Sequence, residues 1–181
     1  MSAASNTPNL SFRRALPEDL DAVLALWTQA SAFLRLQGVD QWQKGYPGPQ
    51  QAQEDCALGR LWLALTPDGQ PAAVFVFDTT PEPSYAHLTE GAWQHPGPYG
   101  VLHRVAVSPA VRGQGVGGAV AAFGRQRCAA LGLPALRIDT HPENRPMRRM
   151  LEKAGFTAVG MLRLLGGVDD GAPRVAYELL L

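Results

Sequence analysis

The chain has 181 residues, of which 46% are hydrophobic and 18% charged, a composition typical of one globular domain with a sizeable core rather than of a disordered or collagen-like protein. Its 16 basic and 16 acidic residues leave no net charge, which argues against binding to nucleic acid or to a membrane surface and restricts any phosphate binding to a local site. Two distant cysteines indicate neither a disulfide scaffold nor a zinc site, and no stretch approaches the roughly 20 apolar residues of a membrane span. We therefore expect a cytoplasmic protein that binds no metal.

The first half of the sequence alternates short apolar runs with segments rich in Pro and Gly. Pro17 and the acidic residues after it suit the first turn of a helix, in which apolar residues recur at helical spacing from Leu20 to Leu34. The tripeptide Pro67-Asp68-Gly69 has the composition of a hairpin turn. The predicted elements in chain order are a flexible tail at 1–9, a strand at 10–14, a helix ended by Gly38, a loop at 41–53, paired strands at 61–65 and 72–77, and a long loop at 78–98.

The second half gives clearer signals. The run YGVLHRVAV at 99–107 predicts a strong strand. Gly132 is suited to end a helix at 115–131, and Pro146 is suited to the first turn of the next helix. The predicted elements are a strand at 99–107, a helix at 115–131, a strand at 135–140, a helix ended by Ala154-Gly155, and strands at 156–165 and 174–180. We therefore predict a mixed α/β sheet flanked by helices, with residues 10–181 forming one domain.

The sharpest local feature is the glycine cluster from Arg112 to Gly118, which opens the helix at 115–131. Without Cβ atoms, Gly113, Gly115 and Gly117 let the backbone turn tightly, and the first N–H groups of the helix are unpaired and partly positive. This geometry suits a pyrophosphate, with the charge of Arg112 at the rim.

Two common nucleotide-binding motifs fit the cluster poorly. The dinucleotide pattern GxGxxG should follow its strand directly, yet residues 108–111 intervene, and the acidic residue expected about 20 positions later is missing. A nucleoside-triphosphate P-loop would need GK[ST] where this chain has Gly117-Gly118-Ala119. Close packing of the helix on its neighbours stays open as an alternative.

The cluster and its surroundings resemble a known family. The run RGQGVG, preceded by the strand LHRVAV and the turn SPAV, is similar to the acetyl-CoA signature (Gln or Arg)-x-x-G-x-(Gly or Ala) of the GNAT family of N-acetyltransferases. The resemblance continues through the helix, the strand ALRIDT, Asn144 and the run EKAGF at 152–156. It implies a mostly antiparallel sheet splayed between its fourth and fifth strands, with acetyl-CoA held in the gap.

The resemblance also implies which residues bind acetyl-CoA. Backbone groups of Val105, Ala106 and Val107 would pair with the pantetheine arm like an added strand. Asn144 would hydrogen-bond the arm from the other side, although its position also suits a helix N-cap. Met147 would line the cleft, although an apolar residue on that helix equally suits the core. The residues that would hold the pyrophosphate are Arg112, Gly113, Gln114, Gly115, Val116, Gly117 and Gly118.

Acetyl transfer to an amine requires a group that accepts the amine's proton, because the pKa of an alkylamine is near 10. His103 is the first candidate, since it precedes the pantetheine segment on the same strand and an unperturbed histidine pKa is about 6.5. Strand alternation predicts His103 on one face with Val105, and Arg104 on the other with Leu102. A structural histidine stays an alternative. Glu90 and His87 are the second choices for the base, although both equally suit the surface. Asp139 and His141, at the end of the strand at 135–140, would instead frame the acceptor pocket or brace the turn. A backbone N–H near Val105 would polarise the thioester carbonyl.

The chain departs from the family at the general acid. Many members carry a tyrosine just before the Glu-Lys of the second signature helix, where this chain has Leu151. Tyr85, Tyr99, Tyr177 or water would have to protonate the leaving thiolate instead. We expect Trp42, Tyr46, Tyr85 and Trp93 to wall a site for a hydrophobic or aromatic amine, although each of them equally suits a cap on the core.

The function expected from these features is transfer of an acetyl group from acetyl-CoA to an amine of a small molecule or peptide. The rival hypothesis is an acyl-CoA sensor without turnover, which the leucine at position 151 favours. A homodimer is expected at the level of the family only.

Overall fold

The computed structural model describes residues 8–181, so most of the predicted tail at 1–9 lies outside the described residues. Within 8–181, no helix combines the length and the apolar composition needed to cross a membrane. The elements are β1 (Ser11–Arg14), α1 (Leu20–Leu36), α2 (Pro49–Ala57), β2 (Leu61–Leu65), β3 (Pro71–Asp78), β4 (Glu90–Gly91), β5 (Gly100–Val107), α3 (Val116–Ala130), β6 (Ala135–Thr140), α4 (Arg145–Lys153), β7 (Thr157–Arg163) and β8 (Pro173–Leu180).

The strands form a single sheet in the order β1-β2-β3-β5-β6-β8-β7-β4, and every neighbouring pair is antiparallel except β5 and β6. The parallel pair is short, because only Gly100 with Leu136 and Val101 with Arg137 are in register. Beyond Val101, β5 stays paired with β3 while β6 stays paired with β8. The sheet therefore splays open between the fourth and fifth of the predicted strands, as expected. These are β5 and β6, because the two-residue strand β4 is additional.

Helices cover both faces of this sheet. On one face, α3 and α4 enclose a core that includes Phe75, Leu102 and Leu136. On the other face, α1 packs Val23 and Trp27 against the inward side chains of β2 and β3. Each such leucine or phenylalanine contributes about 1.5–3 kcal/mol when its side chain is fully buried. The two cores hold β3 and β5 rigidly at the centre, and this fixes the position of the cleft beside β5.

Helix α2 was not expected, because the sequence predicted a loop over 41–53. Pro49 occupies the first helical position, and the Gln51 side chain accepts a hydrogen bond from the Gly48 N–H at 3.0 Å. The buried face of this nine-residue helix offers only Ala52 and Asp55, so it carries no apolar stripe that periodicity could detect. The helix is instead attached to the sheet by the buried Asp55 carboxylate, which accepts hydrogen bonds from Arg60 and Arg104.

Strand β5 contains a bulge at Arg104, which adopts a left-handed φ of 50°. On β3, the register moves from Val76 opposite His103 to Val74 opposite Ala106. His103 therefore shares a face with Ala106, whereas Val105 packs with Leu102 against the core under α3. The predicted alternation of His103 with Val105 and of Arg104 with Leu102 is wrong, because it assumed a strand without an inserted residue.

Candidate functional site

A cleft of about 1090 Å³ opens where β5 and β6 separate. The glycine turn and α3 border it, together with α4, the loop before α2 and the loop between β7 and β8. It is lined by His103 and by every residue expected to bind acetyl-CoA except Gln114. The splayed sheet thus brings the predicted site residues together around a single space.

The glycine turn leaves a set of backbone donors free at the start of α3. Gly113 and Gly115 adopt φ values of 81° and 84°, which residues with a Cβ atom rarely adopt. Among the described residues, no backbone or side-chain acceptor pairs with the N–H groups of Gly113, Gly115, Val116, Gly117 and Gly118. These donors sit at the positive end of a 15-residue helix, so the turn offers concentrated partial positive charge to an anion.

Gln114 departs from its expected role. Its N–H donates to the Val111 carbonyl at 3.2 Å, and its side-chain amide donates to the Ala110 carbonyl at 3.4 Å. The side chain is exposed outside the cleft, so Gln114 closes the turn and leaves ligand contacts to its neighbours.

Close packing, the alternative role for the glycines, applies elsewhere on α3. A Cβ atom at Gly113 or Gly118 would meet nothing within 4 Å. At Gly124, by contrast, it would lie 2.9 Å from Leu136 Cδ2. Gly117 is intermediate, because a Cβ atom there would lie 2.9 Å from Cγ of the flexible Met150 side chain.

Basic side chains surround the half of the cleft next to the glycine turn, where the cofactor was expected and which is called the cofactor half below. Arg112 is exposed at the rim, where its guanidinium lies 3.7 Å from the centre of the Phe33 ring. The sequence reasoning missed three further cations that line the cleft, Arg125 of α3 and Arg149 and Lys153 of α4. The spacing of four between 149 and 153 places both on one helix face, and this was the available signal.

The edge of β5 that faces β6 has no strand partner beyond Val101, so Val105, Ala106 and Val107 border the cleft with an unpaired edge. Across the gap, Asn144 caps α4 by accepting a hydrogen bond from the Met147 N–H at 3.3 Å. Its side-chain amide also donates to Gln41 Oε1 at 3.1 Å, and this bond ties α4 to the loop before α2. Met147 both lines the cleft and packs on the core, as its two interpretations allowed.

His103 lies in the cleft beside a carboxylate that the sequence reasoning did not single out. His103 Nε2 is 3.7 Å from Glu82 Oε2, and the other Glu82 oxygen accepts a hydrogen bond from the Ser84 N–H at 3.1 Å. The His103 side chain is only 22% exposed, and its burial lowers the pKa to about 4 even though Glu82 acts in the opposite direction. His103 is therefore a neutral imidazole at neutral pH.

A family model described as the acetyltransferase (GNAT) family matches residues 25–156. The chain belongs to the GNAT acetyltransferase family. Among solved structures, a GNAT family acetyltransferase from Streptococcus agalactiae is similar over 95% of both chains, with 30% sequence identity and a TM-score of 0.83. A GNAT superfamily phosphinothricin acetyltransferase from Sinorhizobium meliloti in complex with AcCoA shares the fold. Its TM-score is 0.64 at 14% identity, over 95% of this chain and 88% of that one.

Among curated proteins, a mycothiol acetyltransferase from Thermomonospora curvata is 36% identical to this chain over 63 residues. The match spans 35% of this chain and 21% of that protein, so this chain covers only about a fifth of that relative's length. The activity in that name is stated for that relative only.

The other half of the cleft, where the acceptor was expected and which is called the acceptor half below, is built largely from loops. Trp42 and Tyr46 line it, as expected, and so do Leu165 and Val168 from the loop between β7 and β8. Asp169 in that loop lies 3.5 Å from Lys44 Nζ, and Lys44 also donates to the Val168 carbonyl at 3.1 Å. These contacts join the two loops beside the cleft.

Tyr85 and Trp93 do not wall the acceptor site, contrary to expectation. Their rings pack together with centres 5.2 Å apart, and the Trp93 indole donates to the Tyr85 carbonyl at 2.8 Å. Tyr85 is buried, and its hydroxyl donates to Asp139 Oδ2 at 2.9 Å. Burial raises the pKa of Asp139, which lines the cleft and lies 3.6 Å from Arg174 Nε.

Three further residues singled out in the sequence, the two second-choice bases and His141, lie away from the cleft. Glu90 is exposed in β4, and His87 is exposed in the loop before it. Neither residue lines the cleft. His141 does not line it either, although burial lowers its pKa.

The three tyrosines considered as replacements for the family's acid are also engaged elsewhere. Tyr177 donates to Glu152 Oε1 at 3.0 Å, the Tyr99 hydroxyl accepts from the Glu82 N–H at 3.1 Å, and Tyr85 donates to Asp139. Leu151, where the family often has its tyrosine, is fully buried in the core.

Proposed function

We propose that this protein is an N-acetyltransferase that moves the acetyl group of acetyl-CoA to the amine of a small molecule or peptide, and that residues 10–181 are the domain that does so. The observation that carries this proposal is the set of unpaired N–H groups of Gly113 and residues 115–118, placed beside the unpaired edge of β5. The GNAT family uses acetyl-CoA, and these two features suit its diphosphate and its amide-bearing arm respectively.

In this proposal the cofactor half of the cleft holds the donor by its backbone. The N–H groups of the glycine turn bind the diphosphate, with Arg112 at the rim. Val105, Ala106 and Val107 pair with the pantetheine amides, and Asn144 borders the arm from α4. Because β5 is already ordered by its pairing with β3, binding of the thioester arm requires no further ordering of this strand.

The acceptor half suits an amine carried on an apolar body. Trp42, Leu165 and Val168 offer apolar surface, of which Leu165 is 63% and Val168 50% exposed. The carboxylates of Glu82 and Asp139 lie deeper in the same cleft and favour a cationic amine over an anionic group. An acceptor amine bound near them would be oriented towards β5.

His103 and Glu82 together accept the amine's proton. The neutral imidazole has a free lone pair at neutral pH, and the imidazolium that forms is stabilised by the Glu82 carboxylate beside it. The pair then returns the proton to solvent. His103 alone is a weak base at a pKa of about 4, so its neighbour is part of the proposal.

The rival function, an acyl-CoA sensor without turnover, is favoured by the buried Leu151 at the position of the family's acid. One experiment separates the two functions. Acetyl-CoA binding is measured by calorimetry, and thiol release is measured with a panel of aromatic, aliphatic and peptide amines. We expect binding together with thiol release that matches the acetylated amine found by mass spectrometry. Binding without release across the panel would support the sensor, and absence of binding would contradict both functions.

A further inference from the structure

Tyr46 is in a position that no other tyrosine of the chain shares. The sequence contains four tyrosines, and all of them lie in the described residues. Tyr85, Tyr99 and Tyr177 do not line the cleft, and their hydroxyls are bonded to other groups of the protein. Tyr46 lines the cleft, and its hydroxyl accepts a hydrogen bond from Arg104 Nε at 2.9 Å. Among the described residues that hydroxyl donates to no protein acceptor, so its proton is available to a bound molecule.

Arg104 is held in place for this contact at a cost in backbone strain. Its left-handed φ of 50° is a conformation that residues with a Cβ atom rarely adopt. The resulting bulge turns its guanidinium towards Tyr46 and towards Asp55, whose Oδ2 accepts from Arg104 NH1 at 2.8 Å. Asp55 is fully buried and is also bonded to Arg60 Nε at 2.6 Å. The buried carboxylate of Asp55 therefore holds the Arg104 guanidinium in position.

We infer that Tyr46 is the general acid that protonates the leaving thiolate, with Arg104 as its positioning residue. The inference rests on the proposed acetyl transfer. In that reaction the amine nitrogen forms a bond to the carbonyl carbon, the C–S bond breaks, and its electron pair stays on sulfur. The sulfur takes the Tyr46 hydroxyl proton, while the amine's surplus proton goes to His103 and Glu82. The phenolate left on Tyr46 regains a proton from solvent.

The electrostatics of Tyr46 fit this role. Its burial raises the pKa of the phenol above 10, so the hydroxyl keeps its proton at neutral pH. Arg104 acts in the opposite direction on that pKa, because its hydrogen bond and positive charge stabilise the phenolate. A simple thiol has a pKa of about 8.5 and is a tolerable leaving group, so the acid contributes less than it would for an alkoxide.

The test compares Tyr46→Phe with Tyr177→Phe, a matched loss of a hydroxyl that does not line the cleft. Each variant is assayed with acetyl-CoA and with the analogue in which selenium replaces the thioester sulfur, since a selenol is more acidic than a thiol and leaves as an anion. We expect Tyr46→Phe to lower kcat about 30-fold with acetyl-CoA and less than about 3-fold with the selenium analogue, at unchanged donor affinity. Tyr177→Phe should match the wild type with both donors.

Arg104→Gln should show the same dependence on the donor, because Asp55 stays paired with Arg60 in that variant. A Tyr46→Phe variant with wild-type kcat, or with equal losses for both donors, would overturn the inference and leave the proposed acetyl transfer standing. A wild-type protein that binds acetyl-CoA but releases neither thiol from it nor selenol from its selenium analogue would overturn both.

Discussion

The two halves of the cleft are built in different ways. The proposed cofactor half is made mainly of backbone from one continuous stretch, in which β5, the glycine turn and the start of α3 follow one another along the chain, with side chains of α4 beside it. The acceptor half is made of side chains from separate segments, such as Tyr46, Glu82, Asp139 and Val168. A backbone site tolerates many side chains and suits a donor common to a family, whereas a side-chain site can change with the acceptor.

The largest effect is expected from a negative charge placed in the cofactor half of the cleft. Gly115→Asp forces a residue with a Cβ atom into a φ of 84° and places a carboxylate beside the diphosphate. We expect the Kd for acetyl-CoA, measured by calorimetry, to rise at least about 1000-fold, which is about 4 kcal/mol. Gly132→Asp is the matched control, because Gly132 has a φ of 66° and open space but lies at the other end of α3.

If Gly132→Asp and Gly115→Asp weakened donor binding equally, the loss would come from backbone strain and the anion site would be misplaced. Circular dichroism of both variants establishes that the fold is retained.

Substitutions in the acceptor half should change kcat rather than the Kd for acetyl-CoA. We expect His103→Ala to lower kcat about 100-fold with little change in the Kd for acetyl-CoA. Glu82→Gln should lower kcat less, and it should move the acid limb of the pH–rate profile to lower pH, because Glu82 raises the pKa of His103. Leu36→Ala, at a residue that is 87% exposed and does not line the cleft, serves as the control.

A structural role for Glu82 would leave the acid limb where it is in the wild type. That result would remove the pair from the mechanism even if kcat fell.

The same division decides how much the sequence could predict. The strand, turn and helix of the cofactor half are contiguous, so spacing and glycine positions were sufficient to predict the turn. The same contiguous motifs carried the resemblance to the GNAT family, which implied the splayed sheet. Glu82 was missed because only folding brings the loop after β3 to within 3.7 Å of His103. Helix α2 and the bulge at Arg104 were missed because neither shows an apolar pattern in the sequence; the contact that joins them is an ion pair between the buried Asp55 and Arg104.

The buried histidine also makes stability depend on pH. His103 has a pKa of about 4 in the folded protein and about 6.5 when unfolded, so the unfolded chain binds the extra proton first as the pH falls. The stability that neutral His103 preserves is complete above about pH 6.5 and is lost progressively down to about pH 4. Burial is the main cause of the lowered pKa of His103. Among nearby charged groups, Arg104 and Arg60 lower it further, whereas Glu82 and Asp78 raise it.

The loss should amount to about 3 kcal/mol and is isolated by comparing wild type with His103→Gln in denaturant titrations at several pH values. We expect the difference in unfolding free energy between the two proteins to change by this amount between pH 7 and pH 4. A difference that stays constant with pH would show that the imidazole titrates normally in the folded state.

The smallest effect separates two glycines of α3 that look alike in the sequence. Gly118 borders the cleft with open space around it, whereas a methyl group at Gly124 would lie 2.9 Å from Leu136 Cδ2 and 3.1 Å from Leu102 Cδ1. Replacing a helical glycine by alanine gains up to about 1 kcal/mol from backbone entropy, and overpacking a core costs about 1–3 kcal/mol. We therefore expect Gly118→Ala to stabilise the fold slightly and Gly124→Ala to destabilise it by about 1 kcal/mol in denaturant unfolding. Equal shifts in the two variants would mean that α3 can move away from the sheet, and the glycine at 124 would then not be required for its close approach.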